Sequence, residues 1–501
     1  MVVVTNHQER IRKAEQAIQV ASEKVRDTPY RLGYHIMAPA HWINDPNGLI
    51  QWNGDYHVFF QHHPFGPKGG PMHWGHVKSK DLVHWELLPV ALAPGDEFDK
   101  SGCFSGSAIE HDGQLLLFYT GHNNLNEDGS DFFEVQCVAK SNDGIHFEKL
   151  ASNPIISKSP ENGSPHFRDP KVWKHEDTWY MVLGNQVDEL GNVLLYESND
   201  LSTWVYQGVI AQSEGEMGYM FECPDFFELE GKHVLLFSPQ GIEPEGDLYQ
   251  NLYQNGTYIG DFDYKTKQFS HGQFTELDKG FDFYAGQTLL DDRGRRILLG
   301  WMSMWETAMP ELEHGWAGAL TLPRELKFND YGELSMIPIE ELQKLRTVKN
   351  VVEPTMINNN IRLSAIKGDQ LEIIAEFSLK NSSAEKFGLN IRCSADGKQK
   401  TEIFYHAAEG KIGIDRNHSG HGEGGIRQSI IHGRDRETLK LHLFIDRSSL
   451  ELFVNDGETV MTARIYPDQT SISVELFSDR GETKLIKLDA WELKNSWMGI
   501  S

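Results

Sequence analysis

The sequence predicts an all-β protein: a five-bladed β-propeller followed by an antiparallel β-sandwich, with one short N-terminal helix. Three observations predict it. A turn motif recurs at a near-constant interval through the first two thirds of the chain. Two-residue alternation marks the last third, and a clear helical period occupies one early stretch.

Residues 1–30 are the expected helical extension. Ile11, Ala14, Ile18, Ala21 and Val25 form a single apolar stripe on a helix over 7–27, with charged residues on the other faces. From Arg31 the texture changes to short apolar runs separated by Gly, Asn and Asp. Residues 49–52 and 56–60 flank Asn53-Gly54-Asp55, a strong hairpin signal. The recurring motif reads Ser79-Lys80-Asp81 through His84-Trp85, Ser141-Asn142-Asp143 through His146-Phe147, and Ser198-Asn199-Asp200 through Thr203-Trp204. Its closing aromatics lie 62 and 57 residues apart, and a looser copy closes on Phe269, 65 residues later. A period of this length holds about four strands, and the 308 residues of 31–338 hold five such periods, hence five blades. A sandwich would not carry one turn motif at a fixed period.

Residues 339–351 read as a linker containing a short helix. Over 352–501 apolar and polar residues alternate in 371–377, 439–445 and 473–477 with no helical pattern between them, which predicts the antiparallel sandwich.

Composition narrows the function. A formal net charge of −26 argues against nucleic acid and anionic membrane surfaces as partners. No apolar run approaches the roughly 18 residues of a membrane span. Val2-Val3-Val4 turns polar too soon for a secretory leader, so a cytoplasmic location is expected. The 4 cysteines contain no C-x-x-C pair and give no disulfide framework. His62, His63, His73 and His76 lack metal-ligand spacing, and no phosphate-cradling glycine loop occurs; no metal and no cofactor is expected. The 12 Trp and 26 Phe suit stacking against sugar faces, or simply an aromatic-rich core.

Three acidic motifs carry chemistry. Asp45 lies in Trp42-Ile43-Asn44-Asp45-Pro46-Asn47-Gly48, at the entry to the predicted hairpin. Trp42 offers a face to a sugar, and Asn44 and Asn47 offer amides to its hydroxyls. Alone, Asp45 reads as readily as an Asx-turn acceptor. Glu222 lies in Phe221-Glu222-Cys223-Pro224, where burial beside aromatics would favour the protonated form that a general acid requires. Alone, it reads as a solvated strand-edge glutamate. Asp169, in Arg168-Asp169-Pro170, reads alone as half of a surface ion pair.

Together these motifs resemble the signatures of glycoside hydrolase family 32, the β-fructofuranosidases, and the likeness runs from about residue 31 to the end. The resemblance implies a five-bladed propeller with a C-terminal sandwich, in agreement with the repeat. It also implies retaining cleavage of the β-fructofuranosyl bond of sucrose or sucrose 6-phosphate. Asp45 would be the nucleophile, forming a covalent fructosyl intermediate, and Glu222 the acid/base. Asp169 would hold the fructosyl ring and stabilise the oxocarbenium-like transition state.

Further sugar contacts follow from the same likeness. Gln61 would bind fructose, Trp74 would line a subsite, Ser105 of Phe104-Ser105-Gly106 would bond the furanose, and Phe104 would also bind the substrate. Arg168 would join Trp42 and Asn44 in substrate binding, Asp282 would lie near the pocket base, and Trp301 would wall the leaving-group side. The expected partner is a small sugar, and the expected assembly a monomer or homodimer. A fructan-cleaving β-fructosidase, a fructosyltransferase and a non-catalytic sugar-binding protein remain as alternative readings.

Overall fold

The recurring motif makes the same turn each time, between the third and fourth strands of a sheet. Ser79, Ser141 and Ser198 donate to Asp81, Asp143 and Asp200. Each aspartate in turn accepts the amides two and three residues on. Asp263 repeats the pattern before Phe269. The side chain thus replaces backbone partners that the turn would leave unmet.

These turns belong to a computed structural model that describes residues 6–160, 163–431 and 436–497. Residues 1–5, on which the reading of the leader rested, lie outside the described residues. Five sheets, antiparallel apart from the short parallel edge strand Trp316–Ala317 of the first, carry the chain from His41 to Pro338. Their first strands are His41–Trp52, Gly102–His111, Phe167–His175, Met220–Leu229 and Tyr284–Leu290. Each packs against the next, and the last against the first, so the strands close a ring. The predicted hairpin is present, with Trp52 opposite Asp55 and positive φ at Asn53 and Gly54.

The helix α1 (Asn6–Val25) lies against Trp85–Leu92, the outer strand of the first blade. Of its apolar stripe, Ala14 and Val25 are fully buried. His7, which the stripe does not include, is buried as well, and its Nε2 accepts the Ala93 amide at 3.1 Å.

The sandwich pairs a sheet containing Gln370–Ser378, Thr438–Asp446 and Thr483–Leu493 with one containing Lys386–Cys393 and Ser473–Asp479. Within the expected 339–351 linker, a 3-10 helix spans Glu340–Leu345, but Arg346–Val352 is already a strand paired with Thr483–Leu493. The linker is therefore shorter than the sequence suggested. Its second half alternates weakly, and only a partner strand more than 130 residues away defines it.

Propeller and sandwich share one core, in which Leu298, Leu322 and Met336 pack with Phe444, Phe453 and Val460. Within it Arg324 is fully buried and donates to Asp278 Oδ2 at 2.9 Å, Glu451 Oε2 at 2.6 Å and Thr462 Oγ1 at 2.6 Å. His35 continues the chain of charges by bridging Glu451 and Asp446. Replacing Arg324 with leucine leaves the buried Asp278 without its cation and Glu451 with His35 alone. That should cost about 3–5 kcal/mol, read as a lower urea midpoint.

Candidate active site

Every innermost strand is interrupted at the same level. The ladder slips between Ile43 and Pro46, between Phe104 and Gly106, between Glu222 and Asp225, and between Tyr284 and Gln287. In the third blade the slip falls between Arg168 and Lys171. Asp169, Cys223 and Ala285 adopt positive φ of 67°, 49° and 52° there. A bulge re-aims a side chain that regular pleating would bury between sheets. Repeated round the ring, it brings Asp45, Ser105, Asp169 and Glu222 together.

Cys223 ties the acids to one another. Its amide donates to Asp169 Oδ2 at 2.8 Å, its thiol lies 3.6 Å from Asp45 Oδ2, and Glu222 precedes it in the chain. Burial and the surrounding carboxylates push that thiol well up, so it stays protonated and can donate. Asp45 Oδ2 also accepts the Ser105 hydroxyl at 2.7 Å. Its Oδ1 accepts the Asn44 amide at 3.0 Å, and Asn44 accepts the Trp42 indole N–H at 2.7 Å.

Glu222 has a polar cage. Arg168 donates to Oε1 through Nη2 at 2.7 Å and Nε at 3.1 Å. Tyr284 and Gln240 donate to Oε2 at 2.6 and 2.8 Å. The apolar flank expected from Phe221 points away from it, into the core with Phe237. The strand's alternation separates the two, so the carboxyl sees charge and hydrogen bonds rather than aromatic carbon. Glu134 braces the arginine from behind at 3.3 Å. Tyr284, Gln240 and Glu134 escaped the sequence reading. Tyr284 stands two residues past Asp282, a residue already singled out, whereas nothing local marked the other two.

The electrostatics follow from burial. Desolvation, then the nearby Glu222, pushes the Asp45 carboxyl up to about 6. Desolvation outweighs the adjacent Arg168 cation at Asp169 and raises that carboxyl too. The nucleophile's role expected of Asp45 requires the ionised form. With its carboxyl near 6, kcat/KM should fall about tenfold per pH unit below that value, as a pH–rate profile would show.

Not every expected sugar contact stands at the pocket. Ser105 and Arg168 touch the acids, and Phe104 stacks on His122 with centroids 4.2 Å apart. Trp42 is 5% exposed and stacks on Trp305 at 5.8 Å. Asn44 and Gln61 are buried beneath. Both Asn44 amide ends are spent on Trp42 and Asp45, and Gln61 donates to the Cys103 carbonyl at 3.0 Å. Trp74 is wholly buried, bonded to the Phe104 carbonyl and packed on Phe59, with no face left for a sugar. Trp301 is equally buried under Trp42 and Trp305. Trp305, which packs on both Trp42 and Trp301, is only partly buried. Asp282 lies at the sandwich joint, bonded to Arg416 at 2.8 Å and to the Arg464 amide at 2.7 Å. A cation supplied by the other domain claims it.

The sandwich also holds the loops beside the acids. Glu423 accepts the Ala308 amide at 2.8 Å, just past Trp305. Arg427 bonds the Gln250 carbonyl and Asn251, next to Tyr253, whose ring lies 5.8 Å from that of Tyr284. No helix among the described residues is long and apolar enough to cross a membrane.

Comparison with known proteins is consistent over the whole length. Residues 35–338 match the family described as glycosyl hydrolases family 32 N-terminal domain, and residues 341–492 match glycosyl hydrolases family 32 C terminal. A sucrose-6-phosphate hydrolase of Escherichia coli is 42% identical over 489 residues, 97% of this chain and 99% of the relative. A raffinose invertase of Escherichia coli is 40% identical over 488 residues, again 97% and 99%. Among solved structures, a Bombyx mori GH32 β-fructofuranosidase superposes with a TM-score of 0.87 at 40% identity, covering 99% of this chain and 100% of the other.

Proposed function

The chain belongs to glycosyl hydrolase family 32, the β-fructofuranosidases, and from that premise we propose that it cleaves sucrose or sucrose 6-phosphate through a fructosyl–aspartate intermediate. One observation carries the mechanism: Cys223 touches Asp45 and Asp169 and adjoins Glu222, so three carboxyl groups share one small space. Asp45 attacks the anomeric C2 of the fructosyl unit while Glu222 protonates the departing oxygen. Glu222 then takes a proton from water, which releases fructose and restores Asp45. Asp169 receives the ring hydroxyls and faces the charge that develops on the sugar.

The hydrogen bonds around the acids suit these roles. Ser105 and Asn44 hold both oxygens of Asp45, which fixes the direction of attack. Arg168 occupies Oε1 of Glu222, leaving Oε2 to exchange the proton beside Tyr284, whose hydroxyl can donate or accept. Trp305 and Tyr253 would border the leaving group.

The names of the relatives favour sucrose 6-phosphate and free oligosaccharides alike. Parallel steady-state kinetics on sucrose, sucrose 6-phosphate and a β-2,1 fructan test the choice. The expected result is a kcat/KM on one of the two sucrose forms at least about tenfold above that on the fructan. A preference for the fructan would overturn the assignment.

A further inference from the structure

The segment that follows α1 and the sandwich meet around a cavity of about 350 Å³. Arg26, Asp27, Tyr30, Asp369, Arg392 and Arg447 line it. A neighbouring recess of about 450 Å³ shares Arg26, Asp27 and Arg447 and adds Arg31. None of the residues of the catalytic pocket lines either. Four guanidinium groups thus face two carboxylates, in a chain whose formal net charge is −26.

The partners of these arginines are unusual. Arg392 is 3% exposed, yet its hydrogen bonds run to carbonyl oxygens: Ser471 at 2.7 Å, Asp468 at 3.3 Å and Arg447. Arg31 donates to the Ala38 carbonyl at 3.0 Å and lies over the Trp316 ring. Arg447 donates to the Arg31 carbonyl and the Gln370 amide oxygen, with Asp369 3.8 Å away. Among the described residues, Arg26 forms no ion pair or side-chain hydrogen bond.

A buried guanidinium without a carboxylate is costly, and carbonyls compensate it only in part. Burial holds Arg31 and Arg392 down at about 10, reinforced at Arg31 by repulsion from Arg447 and only partly offset at Arg392 by the charges of Asp369 and Asp446. A guanidinium has five N–H donors, so the three bonds of Arg392 leave two over. Fork-shaped donors match the oxygens of a phosphate better than those of any neutral ligand.

We propose that this crevice binds a sugar phosphate, with its phosphoryl group held by Arg26, Arg392 and Arg447. Asp27 and Asp369 on the same lining are acceptors for sugar hydroxyls. They also disfavour a bare anion, which would meet their charge with no hydroxyl to offer. The site bridges the segment just after α1 to the sandwich, so an occupied crevice ties that segment to the C-terminal domain. It binds without turnover and is separate from the catalytic pocket.

Calorimetric titration of the full chain with glucose 6-phosphate, inorganic phosphate and glucose tests this, in saturating fructose to fill the catalytic pocket. Glucose 6-phosphate should bind, inorganic phosphate should bind at least tenfold more weakly, and glucose should not bind. Arg26→Glu reverses an exposed charge that forms no ion pair or side-chain hydrogen bond among the described residues. It should weaken glucose 6-phosphate at least tenfold while the thermal midpoint and sucrose hydrolysis in phosphate-free buffer stay unchanged. Arg447→Lys keeps the charge but loses the fork and should weaken it severalfold. No binding of glucose 6-phosphate, or equal binding by the wild type and Arg26→Glu, overturns the proposal. Preference for inorganic phosphate overturns the sugar component.

Discussion

Asp45→Asn should lower sucrose turnover by roughly four orders of magnitude or more, because the amide cannot attack the anomeric carbon. The same substitution should stabilise the fold. The folded carboxyl titrates at about 6 against an ordinary 3.8, a difference worth up to about 3 kcal/mol. The sign follows from which state binds the proton more tightly. The folded state does, so the cost of the charge is fully present above about 6 and gone below about 3.8. Asparagine removes that cost but sets an N–H₂ against the Asn44 amide, losing one hydrogen bond worth about 1 kcal/mol. Relief outweighs loss. The variant should therefore unfold at a higher temperature than the wild type at neutral pH while being inactive. Near wild-type turnover would remove Asp45 from the mechanism, and a lower midpoint would refute the electrostatic account of its site.

The second large effect separates Glu222 from Asp169, which any cluster of acids invites one to confuse. Glu222→Gln should slow sucrose cleavage by about 10²–10⁴-fold, since the sucrose leaving group must be protonated as it departs. On an aryl fructoside with a good leaving group that need vanishes. The burst of released aryl alcohol should then recover much of the wild-type rate. The fructosyl enzyme should accumulate, because no base activates water, and intact-protein mass spectrometry should find the adduct on Asp45. Asp169→Asn should stay slow on both substrates, because the ring it serves is common to both. It also keeps the Cys223 amide bond through its own carbonyl, so misfolding would not explain the loss. A reversed recovery pattern would mean that the two acids have each other's roles.

Much of this molecule was legible before any coordinates. The blades announced themselves through Ser79-Lys80-Asp81 and its copies because the turn is built from its own side chains, within four residues. The hairpin after Asp45 was legible for the same reason, since Asn53 and Gly54 tolerate the backbone that a tight turn demands. The three acids stood out because each lies in a short, unusual string of neighbours.

Sequence by itself therefore determined the two folded units, the N-terminal helix and the three acidic motifs. These depend on contacts a few residues long, where side-chain type and spacing suffice. Tertiary structure alone decided which groups face those acids. Tyr284 and Gln240 reach Glu222 from strands of the fourth and fifth blades, and Arg168 does so from the third. It also buried Trp74 and Trp301 and gave Asp282 to Arg416 of the sandwich. A local pattern records that a residue is aromatic or acidic. Which cation or hydroxyl meets it is set by chain segments 18 to 134 residues away, closed into a ring and capped by a second domain.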